Sequence, residues 1–153
     1  MEMNKKDRIM ESVVRFFPDC STAQSFGLDA LSVPPGSWNE VCALLRKEFD
    51  FNMLVCISAV DREKEGVEIF AHLRSLPDGG DLIVKCILTG ELPEIDSLCG
   101  VWCSAELYED EIYDLFGVKF CGHPFLRRLF LEDDFEGYPL RKNYGEILEH
   151  NSR

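Results

Sequence analysis

The amino-acid sequence predicts an α+β fold, with helices packed on one face of a mostly antiparallel sheet and an extended C-terminal docking segment after it. Three strand-like segments follow one another at 52–60, 67–76 and 81–88. A Pro-Asp-Gly-Gly turn at 77–80 joins the last two and favours an antiparallel hairpin. Amphipathic segments with helical spacing stand before and after these strands, as expected of helices that cover a sheet.

Two helices with one strand between them are predicted before this sheet. Residues 3–17 place their apolar side chains on one side of a helix that a proline ends. Residues 26–33 form a short strand that stops at two prolines. Ser37 and Glu40 have the spacing of a capping box, which predicts the start of a helix that runs to Phe49.

Two further helices are predicted after the sheet. Pro93 stands where a helix over residues 91–100 would begin. The next helix has Ser104 as its N-cap and ends at Gly117, which supplies the left-handed residue that commonly closes a helix.

Three regions follow from this order of elements. Residues 1–103 form the α+β core domain, and residues 104–144 form an acidic helix followed by charged turns, which we call the docking segment. Residues 145–153 form a polar tail that we expect to be frayed in isolation or laid along a neighbour.

Composition limits the classes of function. The 153-residue chain is 46% hydrophobic, enough for one packed domain, and its net charge of −12 argues against nucleic acid or an anionic membrane as its main partner. No apolar run approaches the roughly 20 residues of a membrane span, and the charged N-terminus is unlike a signal peptide. We therefore expect the chain to stay in the cytoplasm.

The seven cysteines do not have the spacing of a metal cluster or a disulfide framework, since no Cys-x-x-Cys occurs. Cys99, Cys103 and His123 form the one conceivable metal set, which falls short of the four ligands of structural zinc. The sequence therefore predicts no metal and no cofactor.

The acidic helix carries many carboxylates and no cation. Three of the carboxylates, Glu106, Asp110 and Asp114, repeat every four residues, so like charges share one face and disfavour an isolated helix. Cations follow beyond turns at 121–124 and 136–139, which could fold them back over the helix. Arginine forks bind carboxylates bidentately, so an ion-pairing docking surface is predicted, with Arg127 and Arg128 as partners for Glu109, Glu111 or another chain. A solvated charged helix is the alternative.

Three ordered blocks of this segment carry a resemblance. They read EDEIYDLFG at 109–117, FxGHPxLRR at 120–128 and GxPLRKxY at 137–144. The pattern resembles the 30 kDa subunit, also called the C subunit, of respiratory complex I, NADH:quinone oxidoreductase, which has relatives in membrane-bound energy-converting hydrogenases. The family usually reads Glu-Arg-Glu where this chain has Asp110, so a pairing through that arginine does not carry over.

The resemblance implies a non-catalytic accessory subunit of the peripheral arm, on the inner, cytoplasmic face of the membrane, with no cofactor of its own. Its main partner would be the subunit that resembles the hydrogenase large subunit, which we call the large-subunit homologue, with the small iron–sulfur subunit nearby. Electron transfer to quinone would pass through those neighbours. The equivalent subunit of an energy-converting [NiFe] hydrogenase is the alternative.

The predicted partner interface combines three kinds of residue. Cations make charge-assisted contacts, apolar residues act as anchors, and acidic residues with one histidine match the family motif and order the surface. The set is Glu109, Glu111, Asp114, His123, Phe125, Leu126, Arg127, Arg128, Tyr138, Arg141, Lys142 and Tyr144.

A standalone enzyme is a further alternative. It would use His123 with Glu109, Glu111 or Asp114 as an acid–base set. No nucleophile elbow, phosphate-binding loop, dinucleotide fingerprint or metal motif accompanies these residues, so no catalytic residue is predicted.

Overall fold

The computed structural model describes residues 3–151, and this part of the chain forms four α-helices, two short 3-10 helices and seven strands. The helices are α1 (Lys5–Phe16), α2 (Trp38–Phe49), α3 (Ala105–Phe116) and α4 (Tyr144–Asn151). The strands are β1 (Ser21–Ser25), β2 (Leu28–Ser32), β3 (Met53–Asp61), β4 (Val67–Arg74), β5 (Asp81–Leu88), β6 (Glu94–Asp96) and β7 (Lys119–Cys121).

The main sheet has five strands in the order β1-β2-β5-β4-β3, while β6 and β7 form a small second sheet. Neighbours in the main sheet pair antiparallel, except that β2 and β5 are parallel. The predicted β4–β5 hairpin forms, and Gly79 in its turn has a left-handed φ of 69°. The predicted fold class, a mostly antiparallel sheet with helices, is confirmed.

One apolar core fills the space between the sheet and the helices. Alternate residues of β4 face it because successive side chains of a strand point to opposite faces. Helices α1, α2 and α3 supply the other side, and α3 contributes Ile112 and Phe116. The strand residues of this core are Leu31, Leu54, Ile57, Ala59, Val67, Ile69, Ala71, Leu73, Leu82, Val84, Cys86 and Leu88 of the main sheet, with Ile95 of β6 and Phe120 of β7.

The strand predicted at 26–33 is confirmed as β2, but the sequence did not predict β1, which pairs with β2 in an antiparallel hairpin. Phe26 and Gly27 make the turn, with left-handed φ values of 54° and 73°. This conformation is costly for Phe26, but its ring packs 4.9 Å from the ring of Phe70, measured between centroids. Strand β1 is polar, so hydrophobic alternation does not reveal it.

The helix predicted at Pro93 is also wrong. Residues Glu94–Asp96 form β6, which pairs in parallel with β7 and buries Ile95. The carbonyl of Pro93 accepts the N–H of Lys119 at 2.9 Å. This pairing partner is distant in sequence, so local signals could not indicate it.

Neither predicted serine cap forms a side-chain hydrogen bond. Ser37 and Ser104 have helical backbone angles at the starts of α2 and α3, and neither side chain accepts a helix N–H. Asn4 does cap α1, since its Oδ1 accepts the N–H of Asp7 at 2.9 Å. Both predicted helices still form, because apolar periodicity decides their positions.

The polar tail is helical where the structure describes it. Residues Tyr144–Asn151 form α4, a helix that the sequence did not predict, and residues 152–153 lie outside the described part.

Candidate partner-binding surface

Helix α3 lies against β3, the edge strand of the main sheet. The Tyr108 hydroxyl donates to the carbonyl of Val55 at 2.8 Å, where a bulge interrupts the pairing of β3 with β4. At the other end, Gly117 closes the helix with a left-handed φ of 76°, as predicted. Three carboxylates of α3 are buried, namely those of Glu109, Asp110 and Asp114. Buried carboxylates need partners, and each of the three has a different one.

Asp114 anchors the irregular chain that follows β7, residues 122–143. Its Oδ2 accepts the backbone N–H groups of Leu129, Phe130 and Leu131 at 3.1, 2.7 and 3.1 Å. Its Oδ1 accepts a hydrogen bond from Arg128 Nη1 at 3.1 Å. Burial acts to raise the pKa of this carboxyl, but the N–H donors and the guanidinium outweigh burial and hold the pKa below its ordinary value.

Arg128, the ion-pair partner of Asp114, also binds the second half of the 122–143 loop. Its Nη2 donates to the carbonyls of Phe135 and Gly137, both at 2.9 Å. The guanidinium also lies over the rings of Phe135 and Tyr138, at 5.6 and 5.0 Å from their centroids. The Arg128 side chain therefore links Asp114 of α3 to the backbone at 135–137, and so holds both ends of the 128–137 stretch against the helix.

A second anchor lies at the end of β3. Asp61 Oδ2 accepts from Arg141 Nε at 3.1 Å and from the backbone N–H of Lys142 at 2.9 Å. Burial acts to raise the pKa of Asp61, yet these bonds and the N–H of Glu63 lower it overall. The end of the docking segment is thus attached to the main sheet.

Glu109 binds the turn before α3. Its carboxylate accepts the Leu98 N–H and the Ser97 hydroxyl, both at 2.6 Å, and the Cys99 thiol donates to it at 3.4 Å. Burial raises the pKa of Glu109 despite these donors. Burial also raises the pKa of the Cys99 thiol, to about 11, so the thiol is protonated at neutral pH.

Asp110, which replaces the family arginine, lies beside His123. The Asp110 Oδ1 accepts the Arg127 backbone N–H at 3.3 Å and lies 3.5 Å from His123 Nε2. That nitrogen donates to the Glu106 carbonyl at 3.1 Å, while Nδ1 accepts the Phe125 N–H. With only 1% of its side chain exposed and both nitrogens bonded to backbone, His123 has no position from which to act on a substrate as a general base.

The predicted interface residues therefore divide into two groups. Residues held inside the chain are Glu109, Asp114, His123, Leu126, Arg128, Tyr138, Arg141 and Tyr144. Residues exposed on the surface are Glu111, Phe125, Arg127 and Lys142. The predicted pairing of the double arginine with Glu109 or Glu111 is wrong, because Arg128 bonds Asp114 and Arg127 Nε is 4.0 Å from Asp110.

Sequence reasoning missed two parts of this region. Asp61 ends an apolar strand and carries no motif, so its bond to Arg141 follows only from the fold. The exposed rings include Phe130 as well as Phe125, each 67% exposed.

The candidate metal set also changes. Within residues 3–151, Cys99 and His123 are grouped with Glu109, and Cys103 is exposed outside the group. The set that the sequence made conceivable, with Cys103 as a member, is therefore not brought together.

The fold and the anchored loop define a mixed α+β domain with a C-terminal docking segment. The chain belongs to the family of the respiratory-chain NADH dehydrogenase 30 kDa subunit, whose model matches residues 31–147. The resemblance seen in the three sequence blocks is confirmed.

Two curated relatives show how the match is distributed. The NADH-quinone oxidoreductase C subunit of Moorella thermoacetica is 38% identical over 139 residues, which cover 90% of this chain and 94% of the relative. The NADH-quinone oxidoreductase C/D subunit of Phocaeicola vulgatus is 36% identical over 78% of this chain, but the match covers 23% of that longer protein.

Two solved structures have the same fold. A trypsin-resistant fragment of Nqo5 (1-134) is 27% identical, with a TM-score of 0.70, over 80% of this chain and all of that one. A chain from the membrane-bound sulfane sulfur reductase, an archaeal respiratory membrane complex, is 23% identical, with a TM-score of 0.78, over 98% of this chain and 93% of that one. The second likeness extends the shared fold to nearly the whole chain.

Each helix described within residues 3–151 is too short or too polar to span a lipid bilayer.

Proposed function

We propose that this chain is a non-catalytic subunit of a membrane-bound redox complex of the NADH:quinone oxidoreductase type. It would lie in the peripheral arm, on the cytoplasmic side, and hold its partners in a fixed geometry for electron transfer to quinone. The names of the curated relatives support the complex I type over the hydrogenase alternative, because they are C subunits of NADH-quinone oxidoreductase.

The observation that carries the proposal is the division of the docking segment into an inner and an outer side. Asp114 and Arg128 fix the backbone of the loop from within. The side chains left outside include Phe125, Phe130 and Arg127. Aromatic residues and arginine are the residue types that dominate binding energy at protein interfaces.

Two of these exposed residues form a unit. The Arg127 guanidinium lies 5.7 Å from the centroid of the Phe125 ring, within the range of a cation–π contact. The pair presents a flat apolar surface with a positive charge, on a backbone whose position does not depend on either side chain. Such a preorganised surface binds with a smaller loss of conformational entropy than a flexible loop does.

The length of the C/D relative supports the large-subunit homologue as the main partner. The C/D relative combines two subunits in its name, and the match occupies 23% of its length, which leaves room for the second one. Two subunits joined in one chain stay adjacent in any assembly. We therefore infer that the second part of the C/D chain corresponds to the large-subunit homologue, and that this homologue is the main partner. The small iron–sulfur subunit is the proposed second neighbour.

The proposal is tested by separating binding from folding. Arg127→Ala and Phe125→Ala should each weaken binding of the full chain to the purified large-subunit homologue by about tenfold or more, as expected of interface anchors. Titration calorimetry measures the binding, and the melting temperature of the isolated chain should change little, since both side chains are exposed.

Lys47→Ala is the matched control. Lys47 is an exposed cation of α2, outside the docking segment, so its replacement should leave binding unchanged. Equal binding by the Arg127 and Lys47 variants would overturn the assignment of this surface, and loss of folding in the Arg127 variant would make that arginine structural.

A further inference from the structure

Three side chains with different metal-ligating atoms converge at the base of the docking segment. The Cys99 sulfur, a carboxylate oxygen of Glu109 and a ring nitrogen of His123 all lie within 4.8 Å of one another. They come from the turn before α3, from α3 itself and from the turn after β7. We propose that Cys99, Glu109 and His123 bind one Zn²⁺ ion, although the sequence alone predicts no metal.

The chemistry of the three donors fits this ion. Thiolate, imidazole and carboxylate are the ligands that zinc takes in proteins, whereas Mg²⁺ and Ca²⁺ select sites made of oxygen alone. When the ion displaces the thiol proton of Cys99, the thiolate and the Glu109 carboxylate together balance its two positive charges. Three protein ligands leave a fourth position for water. Cys99 is only half-buried, which gives that position access to solvent.

The distances require only small movements. The Cys99 Sγ and Glu109 Oε2 atoms are already 3.4 Å apart. An ion centred among three atoms separated by no more than 4.8 Å lies about 2.8 Å or less from each of them. Zinc bonds are roughly 2.0 to 2.3 Å long, so side-chain shifts well under about 1 Å complete the site.

Bonds around the ligands already hold them in position. The Ser97 hydroxyl and the Leu98 N–H orient the Glu109 carboxylate. Two backbone bonds orient the His123 ring, one from Nε2–H to the Glu106 carbonyl and one from the Phe125 N–H to Nδ1. Coordination through either ring nitrogen replaces the backbone partner of that nitrogen, which is the Glu106 carbonyl for Nε2 and the Phe125 N–H for Nδ1.

The ion would connect the 97–101 turn, α3 and the 121–124 turn, and so stiffen the place where the docking segment leaves the core. This role does not rest on the proposed function, because it concerns contacts within one chain. Binding of the ion and binding of the large-subunit homologue are measured separately, so either proposal can fail alone.

The test uses the full, reduced chain with Zn²⁺ or Co²⁺ alone. Metal analysis after dialysis should find one Zn²⁺ per chain, and Co²⁺ should give thiolate-to-cobalt charge-transfer absorption. Cys99→Ser should abolish that absorption, and His123→Gln should weaken Zn²⁺ binding by at least about tenfold. Cys103→Ser is the matched control, since Cys103 is exposed outside the group and its variant should bind as the unmodified chain does.

A measurement on the unmodified chain covers the case in which a variant does not fold. At alkaline pH, where part of Cys99 is a reactive thiolate in spite of its raised pKa, Zn²⁺ should protect Cys99 from alkylation while Cys103 continues to react, as read by mass spectrometry of the peptides. Absence of a retained ion, unchanged alkylation of Cys99, or equal loss of binding in the Cys103 variant would overturn the proposal.

Discussion

The main sheet and the 122–143 loop are stabilised in different ways. The sheet pairs its backbone strand to strand and buries a continuous apolar face under three helices. The loop contains no helix or strand between β7 and α4, and several of its backbone N–H and C=O groups bond to buried charged side chains instead. Buried backbone groups need partners wherever they lie, so a chain without regular structure must take them from side chains.

This difference teaches why the acidic helix is acidic. Two carboxylates of the stripe that looks repulsive in the sequence, Asp110 and Asp114, accept backbone N–H groups of this loop, whereas Glu106 is exposed. Substitutions should therefore destabilise the two regions in different ways. The sheet should be sensitive to changes in side-chain volume, and the loop to changes in side-chain charge.

The largest expected effect comes from removing the charge beneath the loop. Asp114→Asn keeps the shape of the side chain but leaves Arg128 without its buried partner. Breaking a buried ion pair in this way costs about 3 to 5 kcal/mol of folding free energy. Denaturant unfolding measures the loss, and limited proteolysis should cut the variant within 122–143.

Glu111→Gln is the control, since it makes the equivalent change at an exposed position of the same helix and should cost less than about 0.5 kcal/mol.

The pH dependence of the free energy of unfolding provides a second check on Asp114. Folding lowers the pKa of Asp114, so the ionised Asp114 stabilises the folded chain at any pH above the pKa that this group has when unfolded. This contribution to the free energy of unfolding is lost as pH falls through the lower pKa of Asp114 in the folded chain. Glu109, whose pKa is raised, has the opposite sign and opposes stability as pH rises. Equal acid sensitivity of the original chain and Asp114→Asn would contradict the anchoring role.

An intermediate effect is expected where the loop touches the end of α3. A methyl group at Gly117 would lie 2.5 Å from the Tyr138 ring, and φ is left-handed there. Gly117→Ala should cost about 2 to 3 kcal/mol from strain and overpacking together, measured by denaturant unfolding. Gly100→Ala, with open space around it, is the control. Adding Tyr138→Ala should relieve part of the Gly117→Ala cost; strict additivity of the two would show that the clash is absent.

The smallest effect is expected from removing the hydrogen bond that joins Tyr108 of α3 to the main sheet. Tyr108→Phe removes the hydroxyl that donates to Val55 of the edge strand and should lower the free energy of unfolding by about 0.5 to 1.5 kcal/mol. Leu107→Ala, at an exposed neighbouring position, should change it by less than about 0.5 kcal/mol. A Tyr108→Phe variant as stable as the original would mean that α3 is held on the sheet by its apolar face alone.

Prediction from the sequence succeeded where the signal is local. Strands β3, β4 and β5, the hairpin between β4 and β5, and helices α1, α2 and α3 all follow from apolar periodicity and turn residues. It failed at β1, whose residues are polar, and at β6, whose partner β7 lies far along the chain. The parallel contact between β2 and β5 is likewise non-local.

The sequence predicted part of how the docking segment folds on itself, and its role as a partner surface stays a prediction. The motif blocks indicated the segment, the family and the opposite charges that meet in it. They could not indicate that Arg128 is an internal clamp while Arg127 beside it is exposed, because successive residues of an irregular chain point in directions that only the tertiary contacts decide.

The sequence by itself determined the fold class, the principal helices and strands, and membership of the 30 kDa subunit family, because periodicity, turn chemistry and motif order are written along the chain. Only the tertiary structure decided which carboxylates are buried, which cations they bind, and that Cys99 meets Glu109 and His123. The physical reason is that burial and charge pairing depend on surfaces from segments that are distant in sequence. The local sequence pattern therefore does not predict them.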